Sequence, residues 1–391
     1  METLYIELTH RCNLKCSFCY RHKVEEKNDM ELATCKKILN EAKHIGIRNV
    51  SFNGYGENIL HKDFVKALRY ACDSFDSVRF NTNGLALSDK LCDEILETKL
   101  NNITFSVTGY NFDVYNDFQG SGLNNKLIRE KVYNNVLNFI RKRNENENNV
   151  KVIMQYILTD KLKGDIVNYI DFWKDKVDDI YVTHLNSIFG ENSTINKREW
   201  APSRHKCFKI GNEFLIHANG DVSLCCGDCF KGAVIGNINE ISMFELISND
   251  KFKHLKELND KLEFDGMPIV CQKCDEVYEN LFFDSSCQYS KLKKYISIAK
   301  ELGNEKLALV GINDNMNNFV CAMKVFSNSD DFIIVDSFKE GFYEKKQIFK
   351  PIKEVLKNRK ILIFADNKFK ELQNVMHDMG LECVSHKQLM K

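Results

Sequence analysis

The chain has 391 residues, enough for two or three domains with cores of their own, and its 43% hydrophobic and 28% charged content is ordinary for a globular protein. Lysine plus arginine and aspartate plus glutamate both number 55, so no net field points to nucleic acid or to a membrane surface. No apolar run approaches a membrane span and no charged leader precedes residues 4–8, so the expected location is cytoplasmic. Fifteen cysteines are many for such a chain, and in a reducing compartment clustered cysteines point to metal more than to disulfides.

In chain order, apolar strands are predicted at 4–8, 50–52, 78–81, 103–107, 150–158 and 180–184, with helical patterns near 31–45, 62–74, 88–98, 125–143 and 162–176. Such alternation argues an α/β fold with a parallel sheet and crossover helices. Just past the first strand, Cys12, Cys16 and Cys19 form a C-x3-C-x2-C run. Three thiolates that close in sequence can hold three corners of a cubane cluster and leave one iron open for a substrate or cofactor. A glycine turn, Asn53-Gly54-Tyr55-Gly56-Glu57-Asn58, follows the second strand. Asn81-Thr82-Asn83-Gly84 ends the third, and Ser106 ends the fourth, ahead of a loop through Asp113-Val114-Tyr115. Residues 143–149, rich in Asn and Glu, read as a solvated loop. On the residues alone, the cysteine run can also be a structural zinc site or unrelated thiols, and the polar strand ends can simply cap helices.

The cysteine spacing, with an aromatic residue before the last cysteine, resembles the signature of the radical S-adenosylmethionine (radical SAM) superfamily. That resemblance implies a partial (β/α)6 TIM barrel over 1–200, with its chemistry on loops at the C-terminal ends of the strands. It implies a 4Fe–4S cluster on Cys12, Cys16 and Cys19 that binds AdoMet and, once reduced, cleaves it to a 5'-deoxyadenosyl radical. The turn Gly54, Tyr55, Gly56 and Glu57 is similar to the family's GGE motif at the methionine amino end. Asn81 and Asn83 fall in a segment like the one near the ribose and substrate, Ser106 matches an AdoMet-contacting serine, and Phe18 and Tyr20 are expected beside the adenine. Tyr55 stands where the family has Gly, and Asn58 where it often has Pro.

A second cysteine system follows: Cys207, then Gly220 and Cys225, then Cys271 and Cys274. The strands 213–217 and 221–225 flank a hairpin turn at Ala218-Asn219-Gly220. This layout matches SPASM and twitch extensions, which implies an auxiliary 4Fe–4S cluster on Cys207, Cys225, Cys271 and Cys274 in a domain over 201–290 built from a β-hairpin plus helix. A full SPASM domain has a further cysteine where Asn280 stands, so one auxiliary cluster is expected. The spacing is closely similar to that of the twitch-containing 2-deoxy-scyllo-inosamine dehydrogenases of aminoglycoside biosynthesis. A zinc ribbon is the alternative, and Cys226, Cys229 or Cys287 can replace a ligand if the hairpin register differs. Cys35, Cys72, Cys92, Cys321 and Cys383 read as small buried hydrophobes.

Residues 291–304 read as a helix and connector, and 305–391 as a Rossmann-like α/β half-domain with strands at 306–311, 332–335 and 360–364. The turn Gly311-Ile312-Asn313-Asp314-Asn315 lacks a glycine-rich phosphate fingerprint. The expected function is a radical SAM oxidoreductase that oxidises an alcohol of a sugar, cyclitol or nucleotide-linked metabolite, with an electron donor such as flavodoxin or ferredoxin and no nucleic-acid or membrane partner. A peptide- or protein-modifying maturase and a radical sugar epimerase are the competing enzymes; a redox carrier without an AdoMet pocket is the non-catalytic alternative. His184, Asp117 and Glu191 are candidate proton acceptors, each with a plainer structural reading.

Overall fold

Alternate strand positions in the first half of the chain are apolar, and a pleated strand sends alternate side chains to opposite faces. In the computed structural model, which describes residues 2–23, 26–120, 126–159, 162, 164–185, 205–228, 230–274, 287–327, 331–340, 342–343 and 346–390, this builds a parallel sheet. Its strands are β1 (Thr3–Ile6), β2 (Asn49–Phe52), β3 (Ser77–Thr82), β4 (Asn102–Ser106), β5 (Lys151–Leu158) and β6 (Asp179–His184). They pair in sequence order, all parallel. Leu4, Ile6, Val50, Phe52, Val78, Phe80, Met154 and Tyr156 are all buried in one core under the helices. Those helices are α1 (Leu32–His44), α2 (Phe64–Cys72), α3 (Asp89–Leu96), α4 (Phe112–Phe118), α5 (Lys126–Glu145) and α6 (Ile166–Trp173). This is the partial-barrel arrangement expected from the alternation; α4 is an addition, since the sequence around Asp113 reads as a loop.

The sheet does not stop at β1. Strand β7 (Glu213–Ile216) pairs parallel to it, Thr3 opposite Glu213, and β8 (Asp221–Ser223) and β9 (Val234–Asn237) continue antiparallel. The predicted hairpin is therefore β7–β8, joined to the barrel by backbone hydrogen bonds. At the other edge β10 (Cys287–Gln288) runs antiparallel to β6, which completes ten strands. Two further helices, α7 (Met243–Ser248) and α8 (Asp250–Lys261), follow β9. Ser242 and Glu245 close a capping box on α7, and Asn249 caps α8. A short helix α9 (Ile269–Gln272) then delivers Cys271 and Cys274.

The C-terminal region forms a second, mainly parallel sheet: β11 (Leu307–Val310), β12 (Phe332–Val335), β13 (Phe342–Tyr343), β14 (Lys346–Phe349), β15 (Lys360–Ile363) and β16 (Cys383–Ser385), in the order β13-β14-β12-β11-β15-β16. Apolar clusters lie on both of its faces. At the strand ends, where such sheets bind nucleotides, Asn313 Nδ2 donates to the Phe364 carbonyl and Asp336 accepts from the amide of Ile312. An added Cβ on Gly311 would lie 2.8 Å from that of Ala365, so the protein's own atoms fill this crevice. Cys35, Cys72 and Cys92 are buried; Cys321 is buried and disulfide-bonded, and Cys383 is half-buried. Among the described residues no helix is long and apolar enough to cross a membrane.

Candidate active site between two cysteine systems

The loop that leaves β1 carries Cys12, Cys16 and Cys19, and the ends of β2, β3 and α4 hold it in place. Both the amide and the hydroxyl of Ser17 donate to the Phe118 carbonyl at the end of α4, at 2.9 and 3.0 Å. Phe18 stacks on Phe118 with ring centroids 4.5 Å apart. Arg11 makes two hydrogen bonds to Asp29, while its carbonyl accepts from the Glu57 amide. The three cysteines face one another closely enough that each of Cys12 and Cys19 disfavours ionisation of Cys16. Burial pushes the Cys12 thiol up to about 11 and the Cys16 thiol well above its ordinary value. Such thiols stay protonated until a metal ion replaces the proton.

The glycine turn after β2 packs directly on this loop, and the packing explains its residue types. Glu7 Oε1 accepts from the amides of Tyr55 and Gly56 at 2.7 and 2.9 Å. A Cβ on Gly54 would meet Glu7 at 2.7 Å, and one on Gly56 would meet the Thr9 carbonyl oxygen at 1.7 Å. Burial opposes charge on Glu7, but hydrogen bonds from His10 and His217 outweigh it and hold its carboxyl well below the usual carboxylate range. Glu57 is engaged within the fold: its carboxylate accepts from the Thr82 hydroxyl and from the Asn83 amide, both at 2.8 Å. Burial pushes its carboxyl up to about 7 despite those bonds. Asn83 reaches both Asn13 and the Cys12 sulfur, the latter at 3.9 Å. Asn81 and Ser106 stand half-buried at the ends of β3 and β4. Tyr20 is buried edge-on against Phe230 at 5.4 Å.

All four predicted auxiliary ligands line one cavity of about 330 Å³, together with Cys226. Cys207 is fixed from α8: Asn259 accepts from its amide at 2.8 Å and donates to its carbonyl at 2.9 Å. Cys225 is half-buried, and desolvation together with Cys226 and Cys274, against Lys209, pushes its thiol well above the ordinary value. Cys229 lies outside the described residues, as does the side chain of Cys287.

The same cavity reaches the barrel, where Tyr5, Asn53 and Gln155 line it alongside Gly54 and Tyr55. The Tyr55 hydroxyl donates to the Gly227 carbonyl at 3.0 Å, so this turn touches both cysteine systems. Tyr5 accepts from Arg79 at 3.0 Å, and Arg79 also acts on Tyr181 across the barrel. Burial, aided by Cys226 and Glu213, pushes the Tyr5 hydroxyl up to about 12, so it is a donor at neutral pH. Sequence reasoning missed Tyr5, Arg79 and Gln155. Their signal is period two: each is the polar residue between apolar neighbours that face the helices. Of the proposed proton acceptors, Asp117 is exposed on α4, while Glu191 and the His184 side chain lie outside the described residues.

Residues 6–172 match the radical SAM superfamily, and 207–275 match an iron-sulfur cluster-binding domain, SPASM. The chain carries a radical SAM domain followed by a SPASM domain. Its radical SAM domain binds AdoMet and a 4Fe–4S cluster, and its SPASM domain binds further iron-sulfur. The half-buried thiol sets described above have the right donor chemistry for both. A tungsten-containing aldehyde ferredoxin oxidoreductase cofactor-modifying protein of Pyrococcus furiosus is 33% identical over 27% of this chain and 31% of its own length. The chain thus spans about a third of that relative. Streptococcus suis SuiB bound to its precursor peptide SuiA matches with a TM-score of 0.54 at 16% identity, over 65% of this chain and 66% of that one, which shows the shared fold. BtrN in complex with AdoMet and 2-DOIA matches at a TM-score of 0.46 and 17% identity, over 71% and 93% of the two chains, a likeness too loose to argue from.

Proposed function

We propose that this radical SAM enzyme is a cytoplasmic, dehydrogenase-type oxidoreductase that oxidises an alcohol of a sugar, cyclitol or nucleotide-linked small molecule. The division into a barrel over 1–200, an auxiliary domain over 201–290 and a C-terminal unit over 305–391 belongs to the same reading. Cys12, Cys16 and Cys19 would hold the AdoMet-binding cluster, and Cys207, Cys225, Cys271 and Cys274 the auxiliary one. Phe18, Gly54, Tyr55, Gly56, Asn81, Asn83 and Ser106 would shape the AdoMet pocket, with Glu57 and Tyr20 acting by holding its walls. One observation carries the proposal: a single cavity runs from the glycine turn past Tyr5 and Gln155 to the second cysteine set.

Held on Cys12, Cys16 and Cys19, AdoMet and its cluster would supply a hydrogen-atom acceptor, and a cluster on Cys207, Cys225, Cys271 and Cys274 would supply a one-electron acceptor. Together these would meet the two-electron demand of oxidising an alcohol to a ketone, with the hydroxyl proton passing to solvent. The Tyr5 hydroxyl, oriented by Arg79, and the Gln155 amide are donors that fix substrate oxygens. The walls around them keep water from a reactive carbon centre.

The test is anaerobic reconstitution with reductant and AdoMet, offering polyols, sugars, nucleotide-sugars and peptides in turn. Ketone and 5'-deoxyadenosine in equal amounts with a small molecule are expected. Release of 5'-deoxyadenosine only with peptides, or an epimerised product at the oxidation level of the substrate, overturns the proposal.

A further inference from the structure

Behind the glycine turn, three side chains converge that neither cysteine system uses. Glu7 leaves the end of β1, His10 follows it by three residues, and His217 leaves the end of β7. All three are buried, and their ligand atoms lie within 4.8 Å of one another. Glu7 Oε2 is 3.1 Å from His10 Nε2 and 3.4 Å from His217 Nδ1. Two ligand atoms on a tetrahedral zinc ion, each at 2.0–2.1 Å, stand about 3.3 Å apart, so this spacing admits a shared ion.

The outer bonds of the group suit metal ligands. Glu7 turns its other oxygen to two backbone amides, which leaves Oε2 for the interior. His217 Nε2 meets the Ser223 hydroxyl at 2.9 Å, which fixes the ring with Nδ1 inward. His10 Nδ1 is buried with no hydrogen-bond partner, although Glu26 Oε2 stands 3.9 Å away. Two neutral imidazoles can each direct an N–H at Glu7 Oε2, but that leaves the buried His10 Nδ1 as an acceptor with no donor. A cation on the inner nitrogens moves each N–H to the outer side, where His217 faces the Ser223 hydroxyl and His10 faces Glu26. Lys231, at the edge of the group, is paired with Glu26 and Asp221. Arg21 also lines the small space beside the group, and it acts on Cys12 and Cys19. That space measures about 10 Å³, room for an ion or one water and for no substrate.

We propose that Glu7, His10 and His217 form a divalent-metal site of the zinc-binding type. Its role is structural: it ties the strand before the first cysteine loop, and through Glu7 the glycine turn, to the auxiliary hairpin. It is independent of the substrate assigned above.

The test uses anaerobically reconstituted holoenzyme with both clusters loaded, given one equivalent of Zn²⁺ and then desalted against EDTA. Wild type should keep about one zinc per chain and His217→Gln none, with equal iron and sulfide in both. Zinc K-edge absorption should show a nitrogen and oxygen shell at about 2.0–2.1 Å with imidazole scattering. A sulfur shell at about 2.3 Å would put the ion on cysteines and overturn the proposal. So would wild-type holoenzyme that keeps no zinc, whatever the folding of the variant.

Discussion

At Gly56 the backbone passes so close to the cysteine loop that a methyl group would sit 1.7 Å from the Thr9 carbonyl oxygen. Backbone must move to admit it, so Gly56→Ala should cost about 1–3 kcal/mol in urea unfolding. Glu57, beside it, makes a pH prediction. Its carboxyl is raised from 4.5 to about 7, so between these values the folded apoprotein holds a proton that the unfolded chain has released. The stability this gives is complete below pH 4.5 and is lost as pH rises toward 7. Glu57→Gln should flatten the wild-type slope across that window. Glu7, whose carboxyl is depressed, acts only below its ordinary value of 4.5 and does not share the window. Among the thiols, Cys12→Ala should lower bound iron by about four per chain and abolish 5'-deoxyadenosine release. Iron content and release both at wild-type levels would remove Cys12 from its assigned role.

Elements place these residues by their ends. Helix α4 offers its last carbonyl to Ser17 and its last ring to Phe18, so seven residues read as a loop in the sequence anchor the cysteine run. Helix α8 offers Asn259 to both backbone groups of Cys207. The turn after β2 crosses to the auxiliary hairpin through the Tyr55 hydroxyl. Tyr55→Phe removes that bond, at a cost of about 0.5–1.5 kcal/mol. Both clusters should stay loaded while the spectroscopic signature of the auxiliary one shifts; an unchanged electron paramagnetic resonance spectrum would show that the bond does not position it.

On the scale of the whole molecule, the ten-stranded sheet makes barrel and auxiliary hairpin one scaffold, since β1 is flanked by β2 and β7. The C-terminal sheet has its own apolar clusters, yet Cys321 and Val325 belong to the barrel core. A charge at Val325, buried in that joint, lacks a partner and costs several kcal/mol on the order of a buried unpaired ion. Val325→Asp should therefore speed proteolysis near residue 304 and leave iron and sulfide in the truncated product unchanged. Equal proteolysis rates would show that this joint does not hold the two sheets together.

Strand and helix order through residue 184, the two cysteine systems and the β7–β8 hairpin were legible from the chain alone, because apolar periodicity and cysteine spacing are local properties. Helix α4 was not, being short and set in polar residues, and the parallel β1–β7 pairing was not, because it joins residues 210 positions apart, Thr3 to Glu213. Only the folded sheet put Tyr5, Arg79 and Gln155 on the face that meets the auxiliary cysteines, and only it brought His217 to Glu7. Residue type fixes which metals and bonds a side chain can serve. Which side chains share one buried space is decided by long-range strand pairing.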